Sequence, residues 1–90
     1  MAKVKFTSAL KPFFPDLTDL ELQGNSVREL LDQIEKRHPG IQNYITDDNG
    51  SLRQHVNIFL QGDHIKDRHA LSDVVEGNDE VIIFQALSGG

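Results

Sequence analysis

Ser26-Val27-Arg28-Glu29-Leu30-Leu31-Asp32-Gln33-Ile34-Glu35-Lys36-Arg37 is the stretch that reads most strongly as a helix. Ser26 and Glu29 have the spacing of a capping box, in which the serine hydroxyl and the glutamate carboxylate each satisfy a backbone N–H of the first turn. Val27, Leu30, Leu31 and Ile34 recur at helical spacing and mark a single apolar stripe. Arg28 with Asp32, and Asp32 with Lys36, place opposite charges four residues apart on the exposed side, each pair worth about a few tenths of a kcal/mol. His38-Pro39-Gly40 ends the helix, because proline disfavours helical geometry in the residue before it. The polar face carries no chemical motif. One helix with one stripe must bury it elsewhere, and the rest of the chain offers strands.

Lys3-Val4-Lys5-Phe6-Thr7 alternates polar and apolar residues, and so does Asp19-Leu20-Glu21-Leu22, with Leu20 and Leu22 expected inward. The two should form a hairpin with a long connection, since Pro12 and Pro15 make Ser8 to Asp16 a loop. Beyond the helix, Ile41 to Gln54 is mixed, and Asp47-Asp48-Asn49-Gly50 reads as a solvated turn. It lacks the alternating ligands and closing glutamate of a calcium loop. His55-Val56-Asn57-Ile58-Phe59-Leu60 alternates again, Gln61-Gly62-Asp63 turns the chain, and Ile65 is expected to open a short strand. Leu71 to Val75 reads as a short turn or loop packing Leu71 and either Val74 or Val75. Glu76-Gly77-Asn78-Asp79 then turns into Glu80-Val81-Ile82-Ile83-Phe84-Gln85, a run of buried-strand composition. The order β-β-α-β-β-β predicts an α+β fold, a mixed four- to five-stranded sheet with one main helix on one face. Roughly fifteen side chains are available for the core, at ~1.5–3 kcal/mol each an upper estimate sufficient for a small domain.

Ninety residues make one domain, and 38% hydrophobic with 26% charged residues suits a folded chain. A net charge of -5 argues against nucleic acid or an anionic membrane as partner. It is compatible with a basic protein surface. The absence of cysteine excludes disulfides, thiolate metal sites, iron–sulfur clusters and a cysteine nucleophile. His38, His55, His64 and His69 lack metal-ligand spacing, so no metal is expected. No apolar run reaches the ~20 residues of a membrane span. The beginning of the chain has no signal-peptide pattern, so a cytoplasmic protein is expected.

If Val81 and Ile83 face the helix, then Ile82 and Phe84 face away, and Phe59 joins them by the same parity. That cluster is an expected partner-binding patch. The alternative is that the Pro12-Phe13-Phe14 loop folds over it. The patch lies at the root of Ala86-Leu87-Ser88-Gly89-Gly90. Gly89 and Gly90, without a Cβ, suit a narrow channel, and the α-carboxylate of Gly90 is the expected reactive handle, the alternative being an ordinary frayed terminus. Residues 1–87 are expected to form the domain and 88–90 a flexible tail, with Leu87 and Ser88 joining the patch in partner binding.

Gly77-Asn78-Asp79-Glu80-Val81, Val56-Asn57-Ile58-Phe59-Leu60-Gln61-Gly62 with Ile65, and Leu87-Ser88-Gly89-Gly90 together resemble the ubiquitin-like sulfur carriers of the MoaD/ThiS family. The likeness covers nearly the whole chain and implies a β-grasp fold. It is nearest the cysteine-biosynthesis carrier and molybdopterin-synthase small-subunit branches. Gln85-Ala86 stands where molybdopterin subunits commonly carry a proline pair. The resemblance implies that an E1-like adenylating enzyme activates Gly90 with ATP, and that a sulfur donor converts it to a thiocarboxylate for a sulfur-accepting synthase. The chain has no phosphate-binding loop of its own, so ATP belongs to the partner and no bound cofactor is expected. Such a chain is a carrier, not an enzyme. A ubiquitin-like modifier would join the same Gly90 to a lysine, and a plain binding module would use only the sheet patch. A grasp-fold ferredoxin is excluded by the lack of cysteine.

Overall fold

The computed structural model describes residues 1–85. Five strands, β1 (Ala2–Phe6), β2 (Leu20–Leu22), β3 (Val56–Leu60), β4 (Asp63–His64) and β5 (Glu80–Gln85), form one sheet in the order β2-β1-β5-β3-β4. β5 lies at its centre, parallel to β1 and antiparallel to β3. The main helix α1 (Val27–Arg37) packs Val27, Leu30, Leu31 and Ile34 into a core with Val4, Ile58, Val81 and Ile83. The mixed sheet with one main helix expected from the stripe and the alternating strands is the fold observed, and it is the ubiquitin-like β-grasp that the family resemblance implied.

Ser26 caps α1 through its hydroxyl, which accepts the Glu29 N–H at 3.2 Å. The Glu29 carboxylate reaches one residue further back than a standard capping box requires and accepts the Asn25 N–H at 3.1 Å. The N–H groups of Val27 and Arg28 donate to the carbonyls of Asp73 and Leu71. Thus the N–H groups of Val27, Arg28 and Glu29, which have no partner within the helix, all find acceptors. Buried Leu71 adopts φ 58°, a left-handed conformation that branched or bulky residues avoid.

The helix-surface ion pairs do not form. The Arg28 guanidinium instead donates to the carbonyls of Gly50 and Ala70, and Asp32 accepts from the Gln42 side chain at 3.0 Å. A fixed carbonyl near an arginine outcompetes an exposed ion pair, which water screens and whose side chains must be ordered. In the mixed stretch a short helix, α2 (Gln42–Ile45), appears. The Glu35 carboxylate accepts the Gly40 and Gln42 N–H groups at its start, at 2.7 and 2.9 Å.

The fourth strand begins two residues earlier than Ile65. Gln61 and Gly62 both have positive φ, 53° and 87°, the geometry of a two-residue type I′ hairpin turn. Asp63 is therefore already paired with Leu60. Gln61 is held there by two contacts with Glu80: its N–H donates to the Glu80 carbonyl, and its Oε1 accepts the Glu80 N–H. Val75 is the buried member of the Val74-Val75 pair, and Val74 is 65% exposed.

Candidate functional site

Strict alternation in β5 divides its side chains between two environments. Val81 and Ile83 are buried under α1, whereas Ile82 is half-buried and Phe84 is 42% exposed on the opposite face. Across the antiparallel pairing, Phe59 stands opposite Ile82 and Asn57 opposite Phe84. Phe59, Ile82 and Phe84 therefore share the uncovered face, as their parity requires. The Phe13-Phe14 loop does not fold over them. Its rings pack on the helix side, Phe13 against Tyr44 at 5.0 Å between centroids, and Phe14 against Tyr44 and His38 at 5.4 and 6.3 Å.

Charged and polar side chains border this apolar ridge. Lys5 stands beside Ile82 in register and pairs with Glu80 at 3.1 Å. The hydrogen bond and charge of Glu80 raise the Lys5 pKa above its ordinary value. On the other flank, the His64 ring lies 4.5 Å from that of Phe59. Near Phe84, Arg68 donates to Asn57 Oδ1 at 3.1 Å and to the carbonyls of Arg53 and Val56 at 2.8 and 2.9 Å. The ridge is thus an apolar strip with Lys5 in an exposed ion pair on one edge and Arg68, held by three hydrogen bonds, near its end. It can accept an apolar partner surface without reorganising its own backbone.

The end of β5 is held on both sides. Gln85 pairs with Val56 of β3, and its N–H donates to Thr7 Oγ1 just beyond β1 at 3.3 Å. A proline at position 85 would have no N–H for that bond. Leu87, Ser88, Gly89 and Gly90, and with them the expected boundary between domain and tail, lie outside the described residues.

A model described as the ThiS family matches residues 4–90. The chain belongs to the ThiS family. This ThiS-family chain is also 29% identical over 65 residues to small archaeal modifier protein 1 of Haloferax volcanii, spanning 72% of this chain and 70% of that protein. Its fold matches a chain of the Amycolatopsis orientalis BexX/CysO complex with a TM-score of 0.84 and 23% identity, covering 100% of both chains. It matches small archaeal modifier protein 1 of Methanosarcina acetivorans with a TM-score of 0.78 and 26% identity, over 99% of this chain and 95% of that one.

Sequence reasoning placed Phe59, Ile82 and Phe84 of the ThiS-family chain together, and the structure does the same. It missed Arg68 and His64, because each reaches the ridge from outside the alternating strand patterns. A two-residue I′ turn, once recognised in Gln61-Gly62, would have placed His64 opposite Phe59. Arg68 has no comparable local signal. Among the described residues, no helix is long and apolar enough to cross a membrane.

Proposed function

We propose that this chain is a sulfur carrier that acts through its C-terminal glycine and is not itself an enzyme. An E1-like enzyme binds the ridge of Phe59, Ile82 and Phe84, together with Leu87 and Ser88, and takes Gly89-Gly90 into its ATP site. The Gly90 carboxylate attacks the α-phosphate of ATP, forming an acyl-adenylate and releasing pyrophosphate. Hydrosulfide then attacks the acyl carbon, the carbon–oxygen bond to AMP breaks, and AMP and a proton leave. The product is a Gly90 thiocarboxylate, which a synthase accepts as a source of sulfur for cysteine or another sulfur metabolite. ATP is bound by the partner, and carrier and partner work in the cytoplasm.

The observation that carries this reading is the uncovered apolar ridge along the central strand that leads to Leu87-Ser88-Gly89-Gly90. Intact-protein mass spectrometry, after incubation with an E1-like enzyme, ATP and sulfide, tests it. The full chain should gain the mass of one oxygen replaced by sulfur, and a chain lacking Gly90 should not. The stability of both should be equal, since a terminal glycine has no side chain to bury. Equal modification of both chains, or a shift mapped to an internal residue, would sink the carrier reading. A second reading is favoured by the modifier names of two relatives: Gly90 joined to a target lysine. An isopeptide mass in the same experiment would select it.

A further inference from the structure

Phe13 is 58% exposed, yet it is held in place. The N–H groups of Phe13 and Phe14 both donate to the Leu10 carbonyl, at 3.1 and 3.0 Å, and the Leu17 N–H donates to the Phe14 carbonyl at 2.9 Å. Leu10 and Leu17 are buried, so the loop is anchored on either side of the exposed ring. Pro12 and Pro15 further restrict the backbone, and the ring rests on Tyr44. A preorganised aromatic loses little conformational entropy when a partner covers it.

This platform belongs to the pole of the molecule at which β5 ends. The loop begins at Thr7, whose N–H donates to the Ile83 carbonyl and whose Oγ1 accepts the Gln85 N–H. The end of α1 reaches the same pole, where the His38 ring meets Phe14. Arg53 joins it by donating from Nε to the Asn43 carbonyl at 2.9 Å, beside Tyr44. In the segments that build this pole, 8–16, 36–44 and 52–57, stand Lys11, Lys36, Arg37 and Arg53 against the single carboxylate of Asp16. The adjacent Glu35 carboxylate is committed to the backbone at the start of α2. The segments that build the pole around Phe13 therefore carry an excess of cations on a chain whose net charge is -5.

We infer that Phe13 and its cationic surroundings form a second docking surface, on the helix side of the end of β5, for an acidic rim of the tail-activating enzyme. The sheet ridge and this platform flank the tail root, so a protein that draws the tail inward can touch both. Carboxylates on its rim would complement Lys11, Arg37 and Arg53 and steer the encounter. The net charge of the whole chain disfavours a nucleic acid at the same place. The inference rests on the reading that a partner activates Gly90, and it names the chemistry of that partner.

The test is binding of the isotope-labelled full chain to an E1-like adenylating enzyme from the same genome, without ATP, followed by NMR and titration calorimetry. Signals of Lys11, Phe13 and Tyr44 should broaden together with those of Phe59 and Phe84. Phe13→Ser and the double variant Lys11→Glu/Arg37→Glu should each weaken binding about tenfold or more. Val74→Ser, at an exposed valine in the segment paired with the start of α1, should leave it unchanged. Affinity of the natural chain should fall with salt, and the double variant should flatten that dependence. No binding, broadening confined to the sheet ridge, or unchanged affinity in both variants overturns the inference. So does competition for this surface by single-stranded RNA at equal affinity. Mass spectrometry separates the two readings: modification of Gly90 with a silent Phe13 surface breaks only this one, and docking there without modification breaks only the carrier reading.

Discussion

Along β5, Val81 and Ile83 lie under α1, while Ile82 and Phe84, each one residue further on, look away from it. All four are apolar, and hydrophobicity alone does not separate them. What separates them is cover: one helix provides a single apolar stripe, and a sheet has two faces. On the covered face an apolar side chain is held by its neighbours and contributes to stability. On the open face the same kind of side chain contributes little until a partner arrives. The pattern is economical in a small domain, where the apolar residues left over from folding can serve recognition.

The largest effect expected from this contrast is on the covered side. Ile58 is fully buried in the core, and Ile58→Ala should cost about 2–5 kcal/mol of stability by lost contacts and a residual cavity. Urea denaturation checks this, and a loss below about 1 kcal/mol would mean that the core collapses around the gap. On the open side, Phe84→Glu should weaken binding to the activating enzyme at least tenfold, about 1.4 kcal/mol. Its melting temperature should stay close to that of the natural chain. Unchanged affinity with a collapsed melting temperature would reverse the assignment of the two faces.

A smaller effect tests a region that belongs to neither face. The Asp67 carboxylate accepts from the Ser72 hydroxyl and from the N–H groups of His69, Ala70 and Ser72. The Ser72 hydroxyl, followed by the Ala70 N–H, holds its pKa well below the usual carboxylate range. A depressed folded-state pKa gives stability that is fully present above the unfolded value, about 3.9, and is lost as pH falls through the folded value. Asp67→Asn should therefore melt below the natural chain at neutral pH, and the gap should close only in strong acid. A gap constant across the titration would show that the loop does not need the charge.

Much of this was legible because it is local. The Ser26 cap, the stripe of Val27, Leu30, Leu31 and Ile34, and the parity of Ile82, Phe84 and Phe59 depend on spacing within single elements, and spacing is written in the chain. Arg28 was misread for the opposite reason. Its helical neighbours predicted an ion pair with Asp32, but its partners are carbonyls at Gly50 and Ala70, distant in sequence.

Residue order by itself determined one helix, its amphipathic face, the alternation of the strands and the family likeness that runs to Gly90. Only the tertiary structure decided which loops cover which surface. Phe13 and Phe14 lie against Tyr44 and His38 rather than over Phe59 and Phe84. Arg68 reaches the tail root through Asn57 and two β3-side carbonyls. The physical reason is the same in both cases. Apolar rings and guanidinium groups satisfy themselves with whatever surface or carbonyl the packed chain brings near, and that proximity is a property of the whole fold rather than of any segment.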